Sequence, residues 1–147
     1  MTLRLSVLLI VTLIAGCDFQ TLGPGLSDFD YPVAGSYELW RTSAHQISVI
    51  PSSGWTKDMP MIPAKVVEVA WDDRFVLGKQ QHLKRRSPDN PNDTYEEPGP
   101  GKYSYWILDT SVPTSYGPFA LDKFDHTRQE LGISDELTLR DVYEFKR

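Results

Sequence analysis

Several stretches in the first three quarters of the chain alternate apolar and polar side chains, the pattern of a β-strand with one buried face. The clearest is residues 65–71, where Val67, Val69 and Trp71 fall on one face and Glu68 on the other. No helical pattern separates these stretches, so we expect consecutive strands to pair antiparallel as a meander. The predicted strands are residues 35–41, 45–50, 65–71, 74–81 and 103–109.

The hydrophobic period changes in the C-terminal third of the chain. Leu121, Phe124 and Leu131 fall at helical spacing, and Gly132 follows where a glycine commonly ends a helix. The last apolar residues, within 137–145, fit a strand or a short helix equally well. We therefore expect an α+β fold in which β dominates, with an antiparallel meander sheet and one helix of the C-terminal third packed on it.

The N-terminus has the pattern of a secretion signal. Arg4 precedes an apolar run of eleven residues, 5–15, that is interrupted only by Ser6 and Thr12. Such a run is about 16 Å long as a helix, too short for a hydrocarbon core of about 30 Å. A basic start, a short apolar run and small residues at its end predict a signal peptide at residues 1–16 and not a membrane-spanning anchor.

The end of this signal peptide carries a more specific motif. Ile14-Ala15-Gly16-Cys17 resembles the lipobox of bacterial lipoproteins, in which an aliphatic residue and two small residues precede a cysteine. The resemblance implies cleavage before Cys17, acylation of Cys17 with chains such as palmitate, and a domain held at a bacterial membrane outside the cytoplasm. The membrane, bound through the acyl chains on Cys17, is thus the first expected partner. Inner and outer membrane both stay open.

The residues after Cys17 show no sustained periodicity and include Gly23-Pro24-Gly25. They predict a lipid-anchored tether at residues 17–32, followed by one small domain at residues 33–147. The alternative is that part of the tether packs on the domain. The apolar residues that keep this alternative open are Phe19, Leu22, Leu26 and Phe29.

Composition excludes several classes of protein. The net charge is −5 and the longest basic run is Lys84-Arg85-Arg86, so we do not expect a nucleic-acid partner. The single cysteine, Cys17, excludes an intramolecular disulfide and a cysteine-rich zinc site. Charged residues at 24% and aromatic residues at 12% are typical of a folded domain, which we expect to be a monomer.

A long polar segment, residues 84–102, separates the last two predicted strands. It contains four prolines, and its basic start of Lys84, Arg85 and Arg86 is balanced by later acidic residues. Structureless loops of this length are uncommon in small domains and are usually functional or disordered. Two interpretations stay open: a recognition loop, or a disordered hairpin loop whose basic residues fold back on its own acids. Residues 87–101 are predicted to be the most mobile part of the domain.

The chain shows no established catalytic or metal-binding pattern. His45, His82 and His126 are far apart in sequence and lack the close spacing of metal-binding histidines. There is no G-x-S-x-G motif, and no cysteine other than Cys17 that could act as a nucleophile. We therefore expect no catalytic residue, no bound metal ion and no cofactor.

Aromatic side chains around the last predicted strand form a candidate ligand face. Tyr103 and Tyr105 share one face of that strand, and Tyr95 and Tyr116 lie in the segments that flank it. Exposed together, these rings could stack against a glycan or an extended peptide of the cell envelope. The alternative is that they pack in the core or at its edge.

The domain contains a characteristic series of segments: Tyr37-Glu38-Leu39, Val66-Val67-Glu68-Val69-Ala70-Trp71, Phe75-Val76-Leu77-Gly78-Lys79-Gln80, Tyr105-Trp106-Ile107-Leu108-Asp109 and Gly117-Pro118-Phe119. This series resembles a functionally uncharacterised family of small bacterial lipoproteins, which implies no catalytic residues. We predict a lipid-anchored cell-envelope protein that is a non-catalytic binding or structural module, with an envelope protein or a glycan as partner. The alternative is a small envelope hydrolase or a hydrolase inhibitor.

Overall fold

The structure, a computed structural model, describes residues 28–145. The predicted signal peptide, Cys17 and most of the predicted tether lie outside this range. Within it, no helix is long and apolar enough to cross a membrane. The predicted fold class is confirmed, because strands dominate the described residues, all strand pairs are antiparallel, and the single α-helix among them lies in the C-terminal third.

The first sheet is a three-stranded antiparallel meander. It consists of β1 (Phe29–Pro32), β2 (Tyr37–Arg41) and β3 (Ile47–Pro51), paired in chain order. The end of the predicted tether is therefore part of the sheet, and Phe29 packs on the core as the alternative predicts. A strand of four residues that ends at a proline has too little periodicity to be recognised in the sequence.

The remaining elements form a second sheet and the helix that covers it. In chain order they are β4 (Val66–Trp71), β5 (Phe75–Arg85), β6 (Glu96–Asp109), β7 (Thr114–Phe119), α1 (Leu121–Glu130), β8 (Arg140–Asp141) and a 3₁₀ turn (Val142–Phe145). The strands lie side by side in the order β7-β6-β5-β4-β8. The last apolar segment thus forms both a two-residue strand and a short helical turn.

Two apolar clusters lie on opposite faces of the second sheet. The first fills the space between the two sheets, where Leu39 and Val49 meet Leu108. The second lies beneath α1, where Phe124 packs with Ile107. Because neighbouring residues of a strand point to opposite faces, β5 and β6 contribute to both clusters. The alternation in the sequence shows that these faces are buried, but it does not show that the strands divide into two sheets.

Nearly half of the long polar segment is strand and not loop. β5 and β6 pair as far as Arg85 and Glu96, which leaves residues 86–95 for the turn. The prediction of a loop over residues 84–102 is therefore wrong in its extent. β4 and Lys65 pair with β5 only as far as Gln81. The part of the hairpin nearest its turn, residues 82–98, therefore extends beyond β4 as two strands alone, and it is called the ribbon below.

Two prolines conceal this ribbon in the sequence. Pro98 and Pro100 lie within β6, although a proline has no N–H group to donate. They are tolerated because β7 pairs with β6 only from Tyr105 onward, so this part of β6 is an edge. A stretch that is rich in proline can thus belong to an edge strand.

The basic start of the polar segment folds back on its own acidic residues, as one of the two interpretations predicts. Lys84 Nζ lies 3.1 Å from Oε1 of Glu97, and Arg86 Nη2 lies 3.0 Å from Oδ2 of Asp93. Arg85 closes the turn by donating from Nη2 to the backbone carbonyl of Asp93, 2.8 Å away. The turn is therefore built from specific contacts, while its mobility stays a prediction.

Candidate functional site

A groove lies where the first sheet ends and the ribbon continues beyond it. Its main part has a volume of about 530 Å³, and a second part of about 260 Å³ adjoins it at the outer end. Gln46, from the turn between β2 and β3, and Glu96, from the ribbon, line both parts. The two sheets therefore contribute opposite walls of one continuous groove.

The inner end of the groove is built around the indole of Trp106. The backbone of Gly117 packs against this indole, because a Cβ at Gly117 would lie only 2.7 Å from Cε3 of Trp106. Nε1 of Trp106 donates to Oε1 of Gln80 at 2.8 Å, and Nε2 of Gln80 donates to the carbonyl of Ala64 at 2.6 Å. The side chains of Trp106 and Gln80 are thus held in one orientation before any ligand binds.

His82, which lines the main part of the groove, contacts a nearly buried serine. Nε2 of His82 lies 2.6 Å from Oγ of Ser104, a residue that is only 7% exposed. The shift of register between Gln81 and Leu83 places His82 at a bulge, a feature that redirects side chains. Because Ser104 comes 22 residues later, in another strand, no rule of sequence spacing could have paired it with His82.

The outer end of the groove is formed by Tyr95 and His45. Tyr95 is 49% exposed, and its ring stands edge-on to the imidazole of His45 with the centroids 5.9 Å apart. The guanidinium of Arg86 lies 4.9 Å from the centre of the Tyr95 ring, which supports the ring from the ribbon. Nδ1 of His45 is buried and has no hydrogen-bond partner in the structure. This end therefore presents the exposed ring of Tyr95 and holds one buried ring nitrogen that the fold leaves unpaired.

The groove carries little charge. Among the described residues that line it, Glu96 is the one acidic residue, and neither Lys nor Arg is present. The other polar side chains, which include Gln46, Gln80 and Thr94, are amides, hydroxyls and imidazoles. Such groups both donate and accept hydrogen bonds, so the groove suits an uncharged polar ligand better than an anion.

The structure does not bring the four predicted tyrosines onto one face. Tyr103 and Tyr105 do share a face of β6, but it is the face beneath α1, where Tyr105 packs on Phe124 with the ring centroids 5.1 Å apart. Tyr116 is partly buried in the same cluster. Of the four, Tyr95 is the one that lines the groove. Packing at the edge of the core, the alternative interpretation, is right for Tyr105 and Tyr116.

Two of the three histidines that are separated in sequence line the same groove. His45 is at its outer end and His82 in its main part. His126 is on α1, where its Nε2 lies 3.3 Å from Glu130. Over residues 28–145, no group of three or more His, Cys, Asp or Glu side chains is arranged to hold a metal ion.

A second polar cluster lies at the opposite end of β5 and β6. Asp109 is 2% exposed and accepts hydrogen bonds from Nε of Arg74 at 3.1 and 3.2 Å, from the N–H and hydroxyl of Ser111, and from the N–H of Val112. These bonds, and the one from Arg74 above all, hold the pKa of Asp109 well below its usual range. The cluster attaches the β6–β7 turn to the start of β5, which is a structural role.

Residues 34–143 match a family that is described as protein of unknown function DUF3997. The chain belongs to DUF3997. The match includes β2 to β8 and α1, so the groove and the Asp109 cluster both lie within the DUF3997 region. No curated protein and no solved structure is similar to the chain. Membership in DUF3997 brings no assigned activity, and the functional argument therefore rests on the groove.

Proposed function

We propose that this chain is a lipid-anchored protein of the bacterial cell envelope, and that its domain is a non-catalytic binding module whose ligand lies in the groove. The lipobox-like motif that ends at Cys17 supports the anchor and a position outside the cytoplasm. The observation that carries the binding function is the groove, whose inner end is preorganised by Trp106 and Gln80. Its other walls present Gln46 and Glu96 to solvent.

The anchor would keep the groove close to a membrane surface. Residues 17–28 connect Cys17 to β1, and a chain of this length spans at most about 40 Å when fully extended. A single acyl chain binds a membrane only marginally, whereas two or more bind it stably. The ligand of such a module is therefore a component of the envelope within this reach.

The anchor is tested by labelling cells with radioactive palmitate. We expect the wild-type chain to be shortened, labelled and recovered in the membrane fraction. The variant Cys17→Ser should lose the label, while a control variant, Ser27→Ala, should keep it. A shortened, labelled and membrane-bound product from Cys17→Ser would contradict the proposed anchor.

The groove is tested by capture of envelope material on the detergent-solubilised, full-length protein. The double variant Gln46→Ala/Glu96→Gln alters two exposed groove residues, and Glu97→Gln/Gln129→Ala makes the same chemical changes outside the groove. We expect wild type and control to retain the same amount of sugar or protein, and the groove variant to retain much less. Equal retention by all three proteins would exclude the groove as the binding site.

One contact favours a second candidate function, a small hydrolase. Nε2 of His82 lies 2.6 Å from Oγ of Ser104, the relation of a general base to a serine nucleophile. A fluorophosphonate probe labels an activated serine, and Ser104→Ala is the control. Labelling of wild type that is lost in Ser104→Ala would place hydrolysis above binding. An unlabelled wild type would exclude an activated Ser104.

A further inference from the structure

We propose that the groove binds an uncharged stretch of a polysaccharide chain, an inference that rests on the binding function proposed above. The first argument is the length of the groove. Trp106, at the inner end of the groove, lies opposite Gly78 in the pairing of β5 with β6. Tyr95, at the outer end, accepts a backbone hydrogen bond from Arg86, so positions 78 and 86 mark the two ends. Positions 78 and 86 are about 26 Å apart along an extended strand. A groove of this length, with an aromatic ring at each end, fits an extended chain better than a single small molecule.

The second argument is that the aromatic rings of Trp106 and Tyr95 are held in fixed positions. Pyranose rings have apolar C–H faces that stack on aromatic side chains, while their hydroxyls remain free for hydrogen bonds. The indole of Trp106 is backed by Gly117, and the ring of Tyr95 is supported by Arg86 and His45. Both rings are therefore held in place, so a sugar chain can stack on them at a low cost in side-chain entropy.

The third argument is the hydrogen-bonding chemistry between the rings. A sugar hydroxyl both donates and accepts, and so does the exposed amide of Gln46. Gln80 and His82 already bond within the fold, but each keeps a further group for a ligand: the second N–H of the Gln80 amide and Nδ1 of His82. An extended peptide is bound differently, by pairing with the N–H and C=O groups of a strand edge. Along β6, Pro98 and Pro100 have no N–H group for such pairing. The absence of Lys and Arg from the described lining residues also disfavours an anionic polymer.

The test is isothermal titration calorimetry on the detergent-solubilised, full-length protein. The probes are a hexamer of β-1,4-linked N-acetylglucosamine and an uncharged decapeptide. Tyr95→Ala should weaken binding of the hexamer by about tenfold or more, because it removes an exposed aromatic contact. Tyr103→Ala is the matched control, since Tyr103 is 44% exposed but shares the strand face of Tyr105, outside the groove, and it should change the affinity by less than about twofold. Raising the salt concentration should leave the affinity unchanged.

Each result separates the ligand class from the binding function. If the decapeptide binds and the hexamer does not, and Tyr95→Ala abolishes that binding, the groove is a binding site but the polysaccharide inference is wrong. If neither probe binds and groove substitutions leave envelope capture unchanged, both proposals fail. Equal losses in Tyr95→Ala and Tyr103→Ala would place the ligand elsewhere. Gln46→Ala repeats the test at an exposed residue of the opposite wall, with thermal unfolding as the check on folding.

Discussion

The two ends of the β5–β6 hairpin use polar residues in opposite ways. At the end away from the turn, the carboxylate of Asp109 is buried and accepts hydrogen bonds from Arg74, Ser111 and the adjacent backbone. At the outer end, Gln46 and Glu96 are exposed on facing walls of the groove. A polar cluster that is saturated internally stabilises the fold, whereas one with unused capacity can bind a ligand. The difference in saturation therefore separates the structural end of the hairpin from the end that we propose to bind a ligand.

Removal of the Asp109 carboxylate should have the largest effect on stability. In Asp109→Ala the hydroxyl and N–H groups at Ser111, and the guanidinium of Arg74, lose their shared acceptor. We expect the free energy of unfolding, measured by urea denaturation, to fall by about 3 kcal/mol. The exposed neighbour variant Asp73→Ala should change it by less than about 0.5 kcal/mol. Equal losses in the two variants would refute a structural role for the Asp109 cluster.

A methyl group at Gly117 should perturb the boundary between core and groove. Gly117 has φ of +142°, and its Cβ would meet Cε3 of Trp106 at 2.7 Å. We expect Gly117→Ala to lower the free energy of unfolding by about 2 kcal/mol and to weaken ligand binding through displacement of Trp106. Gly101→Ala is the control, because φ is +62° there but no atom lies within 4 Å of the added Cβ, and it should cost about 1 kcal/mol. Binding that survives in Gly117→Ala would show that the position of Trp106 is not needed.

Most of the strands and the helix could be predicted from the pattern of the sequence. The centres of β2, β3, β5 and β6, and the helix that ends before Gly132, have the periods expected of buried faces. In β4 a bulge between Val66 and Glu68 places Val66, and not the predicted Val67, in the core with Val69. Gly132 itself has φ of +69°, as a glycine that follows a helix commonly does. These features are local in sequence, and a period of two or 3.6 residues is sufficient to predict them.

The groove could not be predicted in the same way. Its inner wall joins Gln80, Trp106 and Gly117, which lie on three strands, and its opposite wall comes from the other sheet. Periodicity shows which side of a strand is buried, but not which strand lies against it. The separation of the tyrosines has the same cause. Alternation placed Tyr103 and Tyr105 on one face correctly, but it could not show that Phe124 of α1 packs on Tyr105. Sites assembled from distant segments need the fold before they can be recognised.

The Asp109 cluster should also make the free energy of unfolding depend on pH. The pKa of Asp109 is held below its usual range, mainly by Arg74, so its ionised form stabilises the fold above about pH 4. This contribution is lost as the pH falls through the pKa of the folded state. The difference in unfolding free energy between wild type and Asp109→Asn should therefore be constant above about pH 5 and should shrink at lower pH. The effect is smaller than that of Asp109→Ala, because the amide retains one acceptor. A difference that grows on acidification would contradict the depressed pKa.

The smallest effect is expected at the outer end, from the ion pair between Lys84 and Glu97. Their side chains are 55% and 37% exposed, so water screens the attraction and both side chains lose entropy when they pair. A double-mutant cycle with Lys84→Ala and Glu97→Ala, measured by urea denaturation, should give a coupling of about 0.5 kcal/mol or less. Arg85→Ala should cost more, about 1 kcal/mol, since Nη2 of Arg85 donates to the backbone carbonyls of Asn90 and Asp93 across the turn. A coupling well above about 1 kcal/mol would mean that surface charges hold the ribbon together, and the contrast between the two ends of the hairpin would be lost.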